Sequence, residues 1–439
     1  VYASPNAQSV FRRLGLHGDL AGHRLVDLTR SLVPSRRRPD EETLSAVMGG
    51  RAHRDTEFST DGVALIARSI PLRPEGEHIG ALVLVRDVTD LRRRDRELIT
   101  KDATIREIHQ DTPFSMVALT AGDLTATSAR VRAKKADSSW GPWYETEQLQ
   151  GVGADLPGPR GTEPVFVGRT TTVQIAVTRP ADAPQTPPAP PRRDSDDSGD
   201  DRPALGYVPA TTEQPFGQNI NAVLISPPEA PADLAPLPNA ATPPGRPPAI
   251  IGRGQWGADE SIRCKTPTYD DFIGGATVHH TAGSNDYSRT ESAEIVRAIY
   301  AYHAQTLGWC DVGYNVLVDK FGQIFEGRAG GLDKAVQGAH AGGFNENTMG
   351  IAMMGDYSSE SPSQETLDSV GEFLGWRLGQ AGLDPEGETT MISEGTDFTF
   401  IGRGQSVDLP VIFAHRDVGN TACPGDGAYA KMDEIRSIA

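Results

Sequence analysis

Hydrophobic and polar positions change rhythm several times along the chain. Near its start, Ala64-Leu65-Ile66-Ala67 and Ala81-Leu82-Val83-Leu84-Val85 are apolar runs of strand composition. Behind the second run, Arg86-Asp87-Val88-Thr89-Asp90 leads into a charged stretch, Leu91 to Ile108, whose composition predicts a helix capped by Thr89 or Asp90. Residues 1–110 therefore read as an α+β segment. From about Phe114 the period becomes two. Ala129-Arg130-Val131-Arg132-Ala133 and Val173-Gln174-Ile175-Ala176-Val177 alternate about the turn-like Trp140-Gly141-Pro142-Trp143. Residues 112–179 are thus expected to form a small β-sandwich, with Trp140 and Trp143 filling its core or stacking on a sugar.

The pattern breaks between Pro180 and Ala249. This stretch holds 18 of the 33 prolines and the acidic run Asp194 to Asp201. Proline removes backbone donors and like charges repel, so residues 180–249 should be an extended linker. One island of strand composition, Ile220 to Ile225, would pair back onto the preceding domain. Beyond Ile250 short apolar strands are expected at Thr277–His280, Asn315–Asp319, Ile324–Gly327, Gly350–Met354 and Val411–Ala414. Helices are expected at Glu291–Thr306 and Gln364–Ala381. Residues 250–439 should accordingly form a mixed sheet flanked by helices, the α/β end of a multidomain chain.

Composition narrows the function. The net charge is −17, yet the first 110 residues carry 18 Lys and Arg against 16 Asp and Glu, so the acidity lies in the remainder. An acidic C-terminal portion argues against recognition of nucleic-acid phosphates. Nowhere do eighteen apolar residues follow one another, so no transmembrane helix is expected. Val1 to Val10 lack the basic and apolar regions of a signal peptide, which suits a cytoplasmic chain or one whose targeting segment lies elsewhere. The three cysteines, Cys264, Cys310 and Cys423, all fall in the last third, and an odd number leaves one needing its own explanation.

The strand Ala276 to Thr281 ends in His279 and His280, and Val411 to Ala414 runs into His415. Eight residues after His415 comes Cys423, in Thr421-Ala422-Cys423-Pro424-Gly425. Two imidazoles and a thiolate suit Zn²⁺, and three protein ligands leave the fourth tetrahedral position to water, as in a catalytic site. Neighbouring strand residues face opposite ways, so His280 is expected to be structural. His303 lies within the expected helix and reads as packing or a groove wall.

At this point the sequence resembles a known family. Residues 250–439 resemble the peptidoglycan-recognition-protein and phage-lysozyme group of N-acetylmuramoyl-L-alanine amidases. The matching blocks are Gln255-Trp256-Gly257-Ala258, Val278 to Ala282, Gly308 to Asn315, Gly322 to Arg328, Gly338 to Asn345 and Ala414 to Asp417. The resemblance implies hydrolysis of the amide between N-acetylmuramic acid and L-alanine in peptidoglycan or muropeptides. Its zinc ligands would be His279, His415 and Cys423. Tyr314 would hydrogen-bond the metal-bound water or the developing oxyanion. Thr421 stands where phage members have a catalytic lysine, and its neutral hydroxyl could donate to the oxyanion without stabilising it by charge. His340, Asn345 and Asn347 align with the substrate-groove loop, as contacts or as loop structure. Arg328 would hold a stem-peptide carboxylate or a surface salt bridge. With Cys423 given to zinc, Cys264 and Cys310 remain. Oxidising surroundings would join them, and a cytoplasmic chain would keep two buried thiols. Alternatives of other classes are a peptidoglycan-binding module without turnover and a sensor of wall fragments.

The N-terminal segment resembles a PAS sensor domain of a bacterial histidine kinase, from its Asp87-Val88-Thr89-Asp90 turn and the connector Asp95 to His109. His109 is followed by Gln110-Asp111-Thr112-Pro113 in place of the kinase's basic, Asn-rich run, and no ATP-binding domain follows. A solvated helical connector is the expectation there. The β-module resembles, loosely, the β-rich module ahead of the amidase in secreted actinobacterial wall enzymes. A PAS segment suits the cytoplasm and the amidase suits the exterior or cell wall, which implies a junction near Gln110–Thr112 or a lost export signal.

Overall fold

The computed structural model describes residues 56–60, 63–72, 80–87, 103–149, 159–180, 210–234 and 248–439. It divides into two units, Val1–Ala103 and Thr104–Ala439. In the first, strands β1 (Thr56–Thr60), β2 (Val63–Leu72) and β3 (Gly80–Asp87) form an antiparallel sheet in that order. Both apolar runs read as strands lie within it. The helical expectation for 91–102 and its cap falls outside the described residues.

The second unit begins with a correction. Thr104 to Ile108, expected as the end of a charged helix, opens the eighteen-residue strand β4 (Thr104–Ala121). Ile105 and Ile108 do have helical spacing. The deciding partner is distant in sequence: Thr104–His109 pair antiparallel with Val177–Thr172. His109 accordingly sits on a strand, with Nδ1 2.9 Å from the Thr172 hydroxyl. Strands β5 (Ser128–Ala133), β6 (Tyr144–Thr146), β7 (Arg160–Gly161), β8 (Val165–Thr178), β9 (Thr211–Gly217) and β10 (Ile220–Ile225) complete the module. The expected sandwich is one hydrogen-bonded network in the order β6-β5-β8-β4-β10-β9, with β7 on β4. The proline-rich stretch is correspondingly less of a linker than its composition suggests. The island Ile220–Ile225 pairs with β4, and Thr211–Gly217 joins it as a hairpin. Trp143 is buried beneath Arg132, whose guanidinium lies 4.3 Å from its ring and 5.1 Å from that of Trp140.

From Phe114 onward every residue of β4 is buried, which a strand with one wet face would not allow. Alternation explains it. Val117, Leu119 and Ala121 enter the module's own core. Met116 and Ala118, on the other face, join the core of the C-terminal α/β fold with Phe166, Val223 and Ile225.

That C-terminal core is built on a six-stranded mixed sheet of β11 (Ile250–Ile251), β12 (Gly275–His280), β13 (Val316–Val318), β14 (Ile324–Glu326), β15 (Thr348–Met353) and β18 (Ile412–Ala414). Its order is β11-β14-β13-β15-β12-β18, and β16 (Glu388–Ile392) pairs with β17 (Ser406–Pro410) beside it. Helix α1 (Ser292–Ala301) covers one face with Val296 and Ile299 against Leu317 and Ala352. Helices α2 (Gln364–Gln380) and α3 (Met432–Ile438) cover the other, where Val278, Val316, Ile351 and Met353 meet Val370, Phe373 and Ile435. The single-residue alternation along β13 and β15 sorts side chains to the two layers. Cys264 and Cys310 form a disulfide. No helix of the described residues is long and apolar enough to cross a membrane.

Candidate metal centre

Strand register brings the first two candidate ligands together. In the parallel pair β12–β18, Val278 faces Ala414, so the next residue of each chain, His279 and His415, emerge side by side at the strands' carboxyl ends. Their ring centroids are 4.5 Å apart. The turn after His415 returns Cys423, whose Sγ lies 3.7 Å from Nδ1 of His279. One ligand atom from each of these three buried residues lies within 4.8 Å of the others.

The surroundings favour neutral imidazoles. Burial, with the nearby histidines, pushes His279 well below its usual value, and His415 is pushed down to about 3. Burial raises the Cys423 thiol well above its usual value. The backbone N–H of His280 donates to Cys423 Sγ at 3.4 Å, a contact that favours the thiolate. Nε2 of His415 is buried without a hydrogen-bond partner among the described residues. An orphaned ring nitrogen beside a second imidazole and a thiol is the donor set that a tetrahedral zinc would complete, so the residues fit that metal.

Other expected site residues fall around this cluster in different ways. Tyr314 is buried, its ring centroid 5.3 Å from that of His279. Thr421 lines the same small space and accepts from the Cys423 N–H at 3.1 Å. His340 is buried with Nδ1 3.0 Å from Nε2 of His279. Gly350 makes room for it, since a Cβ there would come 2.4 Å from the His340 ring. Oδ1 of Asn345 accepts from the amides of His340 and Ala341. Asn347 takes a left-handed φ of 60° and donates its backbone N–H to Asp270. Arg328 departs from the surface salt bridge considered for it: it donates to the carbonyls of Val312 and Trp309, and no ion pair joins it among the described residues. It lines a separate cavity of about 220 Å³ with Lys265, Trp309 and Gln337. His280 points away from the cluster, its Nδ1 accepting from the Tyr357 N–H. His303 is fully buried and accepts from the Gly313 N–H.

Two residues absent from the sequence-based reading line the same space. Glu147 and Glu163 come from the β-module, and Glu163 accepts the Tyr314 hydroxyl at 2.8 Å. Glu147 reaches Nε2 of His280 at 3.1 Å. Burial pushes the Glu163 carboxyl well above the usual carboxylate range, outweighing the Tyr314 hydrogen bond. No motif marks these residues, because they belong to a different module from the ligands.

Comparison with known proteins defines the class. Residues 269–426 match the N-acetylmuramoyl-L-alanine amidase family, and residues 75–194 match a family described as Rv3811 N-terminal galactose-binding domain-like. Peptidoglycan-recognition protein SC2 of Drosophila melanogaster is 31% identical over 190 residues, 43% of this chain and 85% of that protein. The chain belongs to this peptidoglycan-recognition, amidase-2 family, and carries a galactose-binding-like module ahead of the amidase fold. The solved structure of Drosophila PGRP-SA aligns over 43% of this chain and 91% of its own, at 26% identity and a TM-score of 0.34. A further 112 residues are 46% identical to the sensor histidine kinase PdtaS of Mycolicibacterium smegmatis, 25% of this chain and only 22% of the kinase.

Proposed function

We propose that the chain hydrolyses the amide joining N-acetylmuramic acid to L-alanine in peptidoglycan, with zinc held by His279, His415 and Cys423. The observation that carries this reading is the convergence of two imidazoles and a thiol within 4.8 Å. Zinc bound there would supply a Lewis acid and an activated water. The protein's own groups would do the rest. With zinc on Nδ1 of His279, the nitrogen that lies toward Cys423, its Nε2 would carry the proton and donate to His340 Nδ1, 3.0 Å away. Once its hydroxyl is released from Glu163, Tyr314 would donate to the oxyanion, with Thr421 as a second, uncharged donor. Asn345 and Asn347 would shape the groove loop, and Arg328 with its neighbouring cavity would receive part of the stem peptide. The substrate places this activity outside the cell or at the wall. The first unit is read as a PAS-like sensor segment.

Recognition of wall fragments without turnover is the competing reading. It is tested on the full chain by metal content together with mass analysis of digested muropeptides. Amidase action requires about one zinc per chain and release of free stem peptide. Binding unaffected by zinc, with muropeptides left intact, would select recognition alone.

A further inference from the structure

Glu147 and Glu163 are partners across a short antiparallel ribbon. Gln148 bridges Thr162, and the Glu163 N–H donates to the Glu147 carbonyl at 2.7 Å. By the same count Leu149 stands opposite Gly161, its N–H donating to that carbonyl at 2.9 Å. The period of two therefore puts Glu147, Leu149, Gly161 and Glu163 on one face. That face lies on the amidase. A Cβ at Gly161 would come 2.2 Å from the Tyr302 hydroxyl, and Leu149 packs into the amidase core.

The ribbon leaves about 10 Å³ between Glu147, Leu149, Glu163 and the cluster of His279, His415 and Cys423. This is room for about one water, far too little for a glycan-linked peptide. The Glu163 contact also diverts Tyr314, whose single hydroxyl proton points at the carboxylate. The polar ties of the ribbon to the amidase are few: Glu163 to Tyr314, Glu147 to His280 and Ser358, and Arg160 to Asp397. Glu163 Oε2, moreover, is buried without a partner among the described residues, so this arrangement lacks a hydrogen bond that water would supply on opening. The β4–β10 face is sealed into the same core as Leu149, and lifting the ribbon would also part Gly161 and Thr162 from Thr120 and Leu119 of β4.

We propose that the ribbon is an autoinhibitory lid, which lifts from the amidase site while the rest of the module stays docked, with Glu163 as its latch on Tyr314. The proposal rests on the amidase reading for its consequence, but the movement itself is measured separately. Cys423 is the free cysteine of the chain and is buried, so its alkylation in metal-free, full-length protein reports opening. Replacing both latches, Glu147→Ala with Glu163→Ala, should speed reaction of Cys423 with iodoacetamide at least tenfold. It should also raise muropeptide turnover by the zinc-loaded chain severalfold. Should that variant fail to fold, Glu163→Leu keeps most of the volume, cannot accept the Tyr314 hydroxyl, and carries the same two readouts in the same direction. Unchanged alkylation overturns the lid. So does faster alkylation with reduced turnover, which would make the carboxylates part of the working site. Faster alkylation with no turnover in any form upholds the lid and defeats the amidase reading instead.

Discussion

His340 stands edge-on to His279, with the two rings at 79° and the Nδ1 of the first 3.0 Å from the Nε2 of the second. With zinc on Nδ1 of His279, which faces Cys423, the proton would sit on Nε2 and be donated to His340. Such partners of ligating histidines typically contribute 10- to 100-fold in metal affinity. His340→Ala should therefore weaken zinc binding by roughly that factor. Competition against a chelator of known affinity measures it, and an unchanged affinity would return His340 to the groove.

Cys423→Ser should carry substantially less than one zinc per chain and release no stem peptide. A serine hydroxyl stays protonated near neutral pH, whereas a metal-bound thiol does not. Because Cys423 contributes one side chain among many to the fold, circular dichroism should be unchanged. Full turnover in this variant would remove the metal assignment.

Burial pushes His303 down to about 3, whereas in an unfolded chain its value is about 6.5. On acidification the unfolded state binds the proton first, so this group's effect on stability is nil at neutral pH. It turns unfavourable below about pH 6.5 and grows until the pH reaches about 3. One such histidine contributes a slope of about 1.4 kcal/mol per pH unit. Urea titrations of His303→Asn at several acidic pH values should show a shallower fall than the parent by up to that amount. An equal slope would mean that the folded chain accepts the proton.

The disulfide closes a loop with a sequence separation of 46. In the chain-entropy account its removal by Cys264→Ala with Cys310→Ala should cost roughly 2–4 kcal/mol. Denaturant midpoints compared at equal m-values test this. No change in stability would imply that the reduced loop is already confined.

Truncation separates the two ends of β4. A chain starting at Ala103 keeps the strand whole, whereas one starting at Asp111 loses the segment paired with Val177–Thr172. The shorter chain should melt several degrees lower, as expected for a loss of 1 kcal/mol or somewhat more from a mid-sized domain, on the order of 2–4 °C per kcal/mol. Equal melting temperatures would show that this half of the strand is dispensable.

The sequence made the amidase sheet legible because its strands are short, apolar and close to turn signals. Strands β12 and β18 could be found from Val278 and Phe413, each just ahead of a histidine. The hairpin β16–β17 was not seen, since Glu388–Ile392 and Ser406–Pro410 are short, of mixed polarity and only partly buried. β4 was misread because Thr104–Ile108 takes its conformation from a partner in β8, and local spacing holds no record of that pairing. The ligand trio was visible as residues. Its setting was not: His340 meets His279 through tertiary packing, and Glu163 reaches Tyr314 from 151 positions away.

The double-sided burial of β4 bears on how this chain can be divided. Cutting at Ile250 would expose the apolar surface that Met116, Ala118, Phe166 and Val223 cover on α1's side of the core. The piece that can be transplanted, shuffled into a chimera or inherited intact therefore begins at Thr104, and its two modules should unfold in one cooperative transition and protect their amides from exchange together.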